Sequence, residues 1–163
     1  MLDVAEPVEA IVERLDIKQS LYARLEQVKR PGTAVSSNTS TIPITDLAKA
    51  SAHSDRFIGL HFFSPAHLMR LLEVVKGRDT APSTLAAALR LAARLGKIPV
   101  PAGVCDGFIG NRILTRYRQI CDVTLIEGAL PAEVDGALRG FGMAMGPYEV
   151  QDLSGLDIAY ANR

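Results

Sequence analysis

Apolar residues in this chain fall first into short runs that alternate with helical stripes, and then into stripes alone. The run "VEAIV" (8–12) predicts a buried strand. "DIKQSLYARLEQV" (16–28) predicts a helix, because Ile17, Leu21, Leu25 and Val28 recur at helical spacing, with Asp16 placed to cap it. Pro31 and Gly32 end that helix, the first unable to continue it and the second free to turn. "TAVSS" (33–37) reads as a strand with the polar loop "NTSTI" at its carboxyl end, and "ITDLAKA" (44–50) as a short helix. "RFIGLHFF" (56–63) is apolar almost without interruption, which suits a strand covered on both faces. Beyond the turn at 64–67, "RLLEVVK" (70–76) is a further strand. In "TAPSTLAAALRLAARLG" (80–96) Leu85, Leu89, Ala92 and Leu95 form one helical stripe and Gly96 stops it, after which "KIPVPA" (97–102) is a last short strand.

From Gly107 onward the stripes are helical only: residues 107–128, then 131–142 with Pro131 in the first turn, then 146–157. Strand–helix alternation followed by an all-helical tail predicts an α/β fold in two domains, with the boundary near Gly103. No internal repeat or low-complexity stretch is present, so solenoid and linker readings are set aside.

Composition narrows the setting. The 163 residues are 48% hydrophobic and 22% charged, enough apolar material for one ordinary domain or two small ones. Eighteen basic residues balance eighteen acidic ones, which gives no electrostatic reason to expect nucleic acid or an anionic membrane as a partner. Cys105 and Cys121 stand far apart with no CxxC or metal-ligand spacing, which predicts no metal site and fits a reducing cytoplasm. The acidic first residues do not read as a signal peptide, and no run approaches the roughly 18 apolar residues of a membrane span.

Two residues raise a chemical question. His61 in "GLHFFSP" and Glu73 in "LLEVV" flank the 64–67 turn, so they can meet if their strands pair around it. A carboxylate between Leu72 and Val74 is costly to bury alone and needs a donor, for which imidazole is suited. Such a carboxylate fixes the ring's tautomer and leaves the other nitrogen able to take a proton. Spacing alone leaves two readings open, a catalytic pair or a core His and Glu that satisfy each other. Ser40 lies just past a strand, at the carboxyl edge where ligands bind in open α/β sheets. It is equally an ordinary turn former, and Asn111 in "DGFIGNR" is equally a capping amide. With His61 and Glu73 they make up a base, an orienting acid and two neutral donors, a set able to polarise a hydroxyl or carbonyl. Gly140, Gly142 and Gly146 imitate a dinucleotide loop, but a helix rather than a strand precedes them. His67 and His53 read as exposed loop residues.

The stretches "SSNTSTIPI", "GLHFFSPAHLMRLLEVV", "GVCDGFIGNRI" and "GFGMAMGPYEVQDLSGLD", in that order, resemble the 3-hydroxyacyl-CoA dehydrogenases of fatty acid β-oxidation, most of all the dehydrogenase part of bifunctional enoyl-CoA hydratase/3-hydroxyacyl-CoA dehydrogenases. The likeness implies the carboxyl-terminal part of a Rossmann-type dinucleotide-binding domain over residues 1–102, followed by the start of an all-helical domain over 103–163. It implies an NAD-dependent oxidation of an acyl-CoA substrate, with His61 as base, Glu73 as its acidic partner, and Ser40 and Asn111 hydrogen-bonding the substrate oxygen. Glu9 and Lys18 match positions lining the NAD site, and Ser40 and Ser64 are placed near the nicotinamide. Relatives open with a strand, a G-x-G-x-x-G turn and a helix that holds the pyrophosphate. This sequence has no such turn, so an amino-truncated chain with impaired NAD binding is the expectation, as is an early end at Arg163. The alternative is an inactive remnant serving as a helical dimerisation or interaction module, and homo-oligomer formation through the helical part is open in either case.

Overall fold

The computed structural model describes residues 7–155, so the last residues of the third expected tail helix, Leu156 and Asp157, lie outside the described residues. The chain divides into two compact units, residues 1–112 and 113–163.

The first unit is built on one five-stranded sheet in sequence order. β1 (Val8–Glu9), β2 (Val35–Ser37) and β3 (Phe57–Phe62) run parallel, β4 (Leu71–Lys76) is antiparallel to β3, and β5 (Ile98–Gly103) is parallel to β4. Helices α1 (Leu15–Glu26) and α2 (Ile44–Ala48) occupy the connections among the first three strands, and α3 (Pro82–Arg94) links β4 to β5. Because side chains alternate along a strand, β3 and β4 send successive residues to opposite faces. Phe57 and Val75 join Tyr22, Val35, Ile44, Leu47 and Phe108 in one core. Ile58, Leu60, Leu72 and Val74 join Ala88 and Ala92 of α3 in the other. Parity therefore places His61 and Glu73 on the face shared with Phe57 and Val75.

Three sequence expectations differ in detail. β1 has two residues rather than five, because only Val8 and Glu9 find partners on β2. Ile11 instead donates its N–H to the Glu9 side chain at 2.6 Å, which turns the chain away. Helix α1 begins at Leu15, and Asp16 stands in its first turn paired with Arg14 at 2.7 Å rather than capping it. The inward face of α1 is also not its apolar stripe. Lys18 and Tyr22 are buried while Val28 is 78% exposed, because a polar network beneath the helix draws the lysine and the phenol inward.

The second unit contains most of α4 (Gly110–Ile126), with α5 (Pro131–Phe141) and α6 (Pro147–Ser154). Glutamates at the third helical position serve both short helices: Glu133 accepts from the Leu130 N–H at 2.8 Å and Glu149 from the Gly146 N–H at 2.9 Å. The buried Asp135 of α5 accepts from the N–H groups of Tyr148 and Glu149, so it satisfies the amino end of α6 and ties the two helices together.

Phe57 is fully enclosed and meets the Tyr22 ring edge-on at 4.8 Å. Phe57→Ala is expected to cost about 3–5 kcal/mol in urea unfolding, whereas Val28→Ala at its exposed position changes stability by no more than about 0.5 kcal/mol.

Candidate active site

His61 and Glu73 are direct cross-strand partners in the β3–β4 register. A carboxylate only accepts, so the ring must carry its proton on Nδ1, which donates to Glu73 Oε2 at 2.7 Å. Both side chains are buried, with 5% and 1% exposed. The other carboxylate oxygen, Oε1, accepts from the backbone N–H groups of Ile109 at 3.1 Å and Gly110 at 2.7 Å. Glu73 is thus held by three donors, and Nε2 of His61 has no protein partner among the described residues. Two aromatic rings pack on the imidazole, Phe63 at 4.6 Å and Phe108 at 5.7 Å between centroids.

The backbone donors arrive through a local departure from regular geometry. Gly107 (φ 66°) and Phe108 (φ 49°) are both left-handed, the second uncommon for a bulky residue and costly by roughly 1–3 kcal/mol. The turn aims the amides of Ile109 and Gly110 at Glu73 and buries the Phe108 ring to 1% exposure. A Cβ at Gly107 would meet the Arg112 nitrogen at 2.9 Å, and one at Gly110 would meet Phe63 Cζ at 2.8 Å. The spacing in "DGFIGN" is therefore a requirement of the site.

The remaining candidates take different places. Asn111 is the second residue of α4, next to Gly110, and half-buried. Ser40 is half-buried in the loop after β2, and Ser64 is exposed two residues beyond β3. No hydrogen bond joins Ser40 or Asn111 to the dyad, and among the described residues the Ser40 hydroxyl and the Asn111 amide engage no protein group. The neighbouring hydroxyls are all spent: Ser36 on Pro7, Ser37 on Glu9 and Thr39 on Glu13. Asn38 ties the ends of β2 and β3 by accepting from the Phe62 N–H at 2.9 Å.

Glu9 and Lys18 form a buried pair at 2.7 Å with side chains 3% and 1% exposed. Tyr22 and Ser37 donate to the second Glu9 oxygen at 2.5 and 2.7 Å. Burial by itself would raise the Glu9 carboxyl, but the bonds from Lys18, Tyr22, Ser37 and the Ile11 amide outweigh it and hold the group below its ordinary 4.5. Burial and the bond to Glu9 push the Tyr22 phenol well above its usual range. Glu9, the last residue of β1, is thus spent on buried partners, and Lys18 is shared between it and Glu13 at 3.2 Å. The surface carboxylate of this region is Glu13, which sequence reasoning passed over. Its signal was there in "VEAIVE", a second acid four residues after the first. Tyr22, Phe63 and Phe108, which pack on or donate to these carboxylates and the imidazole, were not singled out in the sequence.

A bound NAD would meet the carboxyl ends of the parallel strands, and the residues there suit one: Ser40 and Ser64 offer hydroxyls, and the Glu9–Lys18 pair stiffens the floor. His53 and His67 are exposed, Gly140 to Gly146 span the end of α5 and the start of α6, and both cysteines are free. Among the described residues no cluster of His, Cys, Asp and Glu could hold a metal ion, and no helix is long and apolar enough to cross a membrane.

Residues 1–105 match the family described as "3-hydroxyacyl-CoA dehydrogenase, NAD binding domain", and residues 107–163 the "3-hydroxyacyl-CoA dehydrogenase, C-terminal domain". The peroxisomal bifunctional enzyme of Danio rerio is 42% identical over 161 residues, which are 99% of this chain and 22% of that protein. The chain therefore spans about a fifth of the length of such relatives. Among solved structures, (S)-3-hydroxybutyryl-CoA dehydrogenase from Ralstonia eutropha superposes with a TM-score of 0.90 at 36% identity, covering 95% of this chain and 56% of the other. 3-Hydroxybutyryl-CoA dehydrogenase from Escherichia coli gives 0.90 at 41% identity, covering 95% and 33%.

The buried Glu9 charge makes stability depend on pH. Its folded carboxyl titrates below 4.5, so its contribution is complete above that value and is lost as pH falls through the lowered folded pKa. Glu9→Gln removes the closer of the two carboxylates that face Lys18, leaving Glu13 at 3.2 Å, and is expected to cost about 1.5–3 kcal/mol at neutral pH. Urea unfolding of the two proteins should show that gap narrowing below the carboxylate range, where the native Glu9 is itself protonated.

Proposed function

The chain belongs to the 3-hydroxyacyl-CoA dehydrogenase family, and from that premise we propose that it oxidises a 3-hydroxyacyl-CoA to the 3-ketoacyl-CoA with NAD, a step of fatty acid β-oxidation, as the dehydrogenase part of a bifunctional enzyme. The observation that carries this reading is the way Glu73 is spent. One oxygen holds His61 Nδ1 at 2.7 Å and the other takes two backbone N–H groups, while Nε2 of His61 has no protein partner among the described residues. A ring fixed in that tautomer presents a lone pair, the requirement for a general base.

In this reading His61 Nε2 removes the proton of the substrate's 3-hydroxyl as the C3–H bond gives up its hydride and the C3–O bond becomes a carbonyl. Glu73 offsets the positive charge that arrives on the ring. The Ser40 hydroxyl and the Asn111 amide donate to the substrate oxygen and hold it toward His61. NAD, when bound, accepts the hydride. Ser40 and Ser64 would be the residues to hold NAD by their hydroxyls, with Glu9 and Lys18 bracing the end of β1. We place the domain boundary near Gly103 and the protein in the cytoplasm, a reducing setting that suits the free Cys105 and Cys121.

A second reading, a helical association module, is favoured by apolar side chains standing at the surface of the second unit, among them Ile126 at 85% and Phe141 at 86% exposure. Homo-oligomer formation through these helices is compatible with the enzymatic reading.

Turnover at saturating cofactor, in a longer protein that supplies the glycine-rich turn, tests the assignment. His61→Gln is expected to lower kcat on the order of 10²–10⁴-fold with little change in acyl-CoA affinity, and Glu73→Gln to do so because it loses the charge while keeping an acceptor. Ser40→Ala and Asn111→Ala should each cost on the order of 10²–10³-fold. Near-native turnover in His61→Gln would make the pair structural.

The 163 residues contain no G-x-G-x-x-G turn between a strand and a helix, so this chain by itself is expected to bind NAD weakly. Titration of NADH fluorescence checks this. Saturation at micromolar cofactor, worth about −8 kcal/mol, would show that another segment cradles the phosphates.

A further inference from the structure

Glu13 lies in the connection between β1 and α1, its side chain 37% exposed. Its Oε1 accepts from the backbone N–H groups of Ser40 at 3.0 Å and Thr41 at 3.1 Å, from the Thr41 hydroxyl at 3.2 Å and from the Thr39 hydroxyl. Its Oε2 pairs with Lys18 at 3.2 Å. The bonds close into a ring. Lys18 bridges Glu13 to Glu9, Ser37 donates to Glu9, the Thr39 N–H donates to Ser37 Oγ at 3.3 Å, and the Thr39 hydroxyl returns to Glu13. Thr39 also accepts from the Ile42 N–H at 2.9 Å, which closes the far side of the loop.

We propose that Glu13 is a positioning residue for Ser40: its carboxylate clamps the Thr39–Thr41 turn onto the β1–α1 connection and so sets where the Ser40 hydroxyl stands. This rests on the reading of Ser40 as a donor to the substrate oxygen. The backbone of residue 40 is the element Glu13 holds, and among the described residues the Ser40 hydroxyl is the one side-chain polar group of the turn with no protein partner. A loop of three consecutive polar residues after a strand has little apolar surface to fix it, so charge-assisted bonds from its amides to one carboxylate are the available restraint. The charged groups facing Glu13 are Lys18 of α1 and, behind it, Glu9 of β1, while the loop contributes only the neutral donors of Thr39, Ser40 and Thr41. Burial would raise the Glu13 carboxyl, but the bonds from Thr39 and Thr41 and the Lys18 charge hold it below its ordinary 4.5, so the clamp stays ionised at neutral pH.

The test uses the ¹⁵N-labelled chain and its Glu13→Gln variant, titrated by NMR from neutral pH down through the carboxylate range. In the native chain the Ser40 and Thr41 amide resonances should move together along one carboxyl titration centred below 4.5. In Glu13→Gln that titration should vanish and the exchange of both amides should accelerate by about tenfold or more. The Ile11 amide, which donates to Glu9 at 2.6 Å, should still titrate and so reports that the variant remains folded. Amides of Ser40 and Thr41 that do not titrate in the native chain, or that titrate unchanged in the variant, would overturn the clamp. In turnover assays Glu13→Gln should lower kcat by about tenfold or more with a smaller change in acyl-CoA KM, and should have no further effect in a Ser40→Ala background. Equal losses in both backgrounds would overturn the link to Ser40. If Ser40→Ala itself leaves turnover unchanged, the role given to Ser40 fails, and the amide titration still decides whether Glu13 holds the loop.

Discussion

A negative charge at Glu73 is almost wholly shut off from water, and an ionised carboxylate survives there only if donors surround it. Meeting that demand organises the first unit. β3 must pair with β4 in the one register that sets His61 opposite Glu73. The segment after β5 must turn through two left-handed residues so that the amides of Ile109 and Gly110 point back at the sheet. Residue 110 must lack a side chain because Phe63, which also packs on the imidazole, occupies that space. The strain at Phe108 persists because releasing it would withdraw donors from a buried charge and a ring from the core.

The sheet carries a second buried carboxylate, Glu9 on β1, and the contrast with Glu73 separates a structural charge from a reactive one. Glu9 is met by a permanent cation, Lys18, together with two hydroxyls and an amide. Its charge is balanced before any ligand arrives, and it serves to bind α1 to the strand ends. Glu73 is met by two neutral amides and an imidazole. In the proposed reaction that imidazole is the group that takes up a proton, and Glu73 stands beside it to offset the charge. Two carboxylates in one sheet differ in chemistry because one is paired with a lysine and the other with an imidazole whose second nitrogen is open.

Between these two charges lies a loop whose polar side chains are divided by role. Ser36, Ser37 and Thr39 are consumed in fixing the backbone, and Thr41 donates to Glu13. Asn38 joins the ends of β2 and β3. Ser40 alone keeps its hydroxyl unspent. Such a division lets a short polar segment at the carboxyl edge of a sheet be rigid and still present a donor.

Much of this could be read from the linear pattern. The strand–helix alternation and the helical tail were legible because apolar periodicity follows the period of each element, and two apolar strands flanking one connection made a meeting of His61 and Glu73 possible without fixing its register. Four ordered motifs pointed to the family. What needed the tertiary structure were the features produced by partners distant in sequence. The inward face of α1 went to Lys18 and Tyr22 because of Glu9, a residue of another element, and periodicity cannot weigh a buried ion pair against an apolar stripe. Glu13 carried no reading in the sequence, because its partners are the amides of Ser40 and Thr41 in the loop after β2. The need for glycine at positions 107 and 110 arises from Arg112, Phe63 and Glu73 in space. Sequence determined where most strands and helices fall, since that depends on local hydrophobic content, while which face of α1 is buried and how each buried charge is satisfied depend on donors brought from afar and were decided only by the fold.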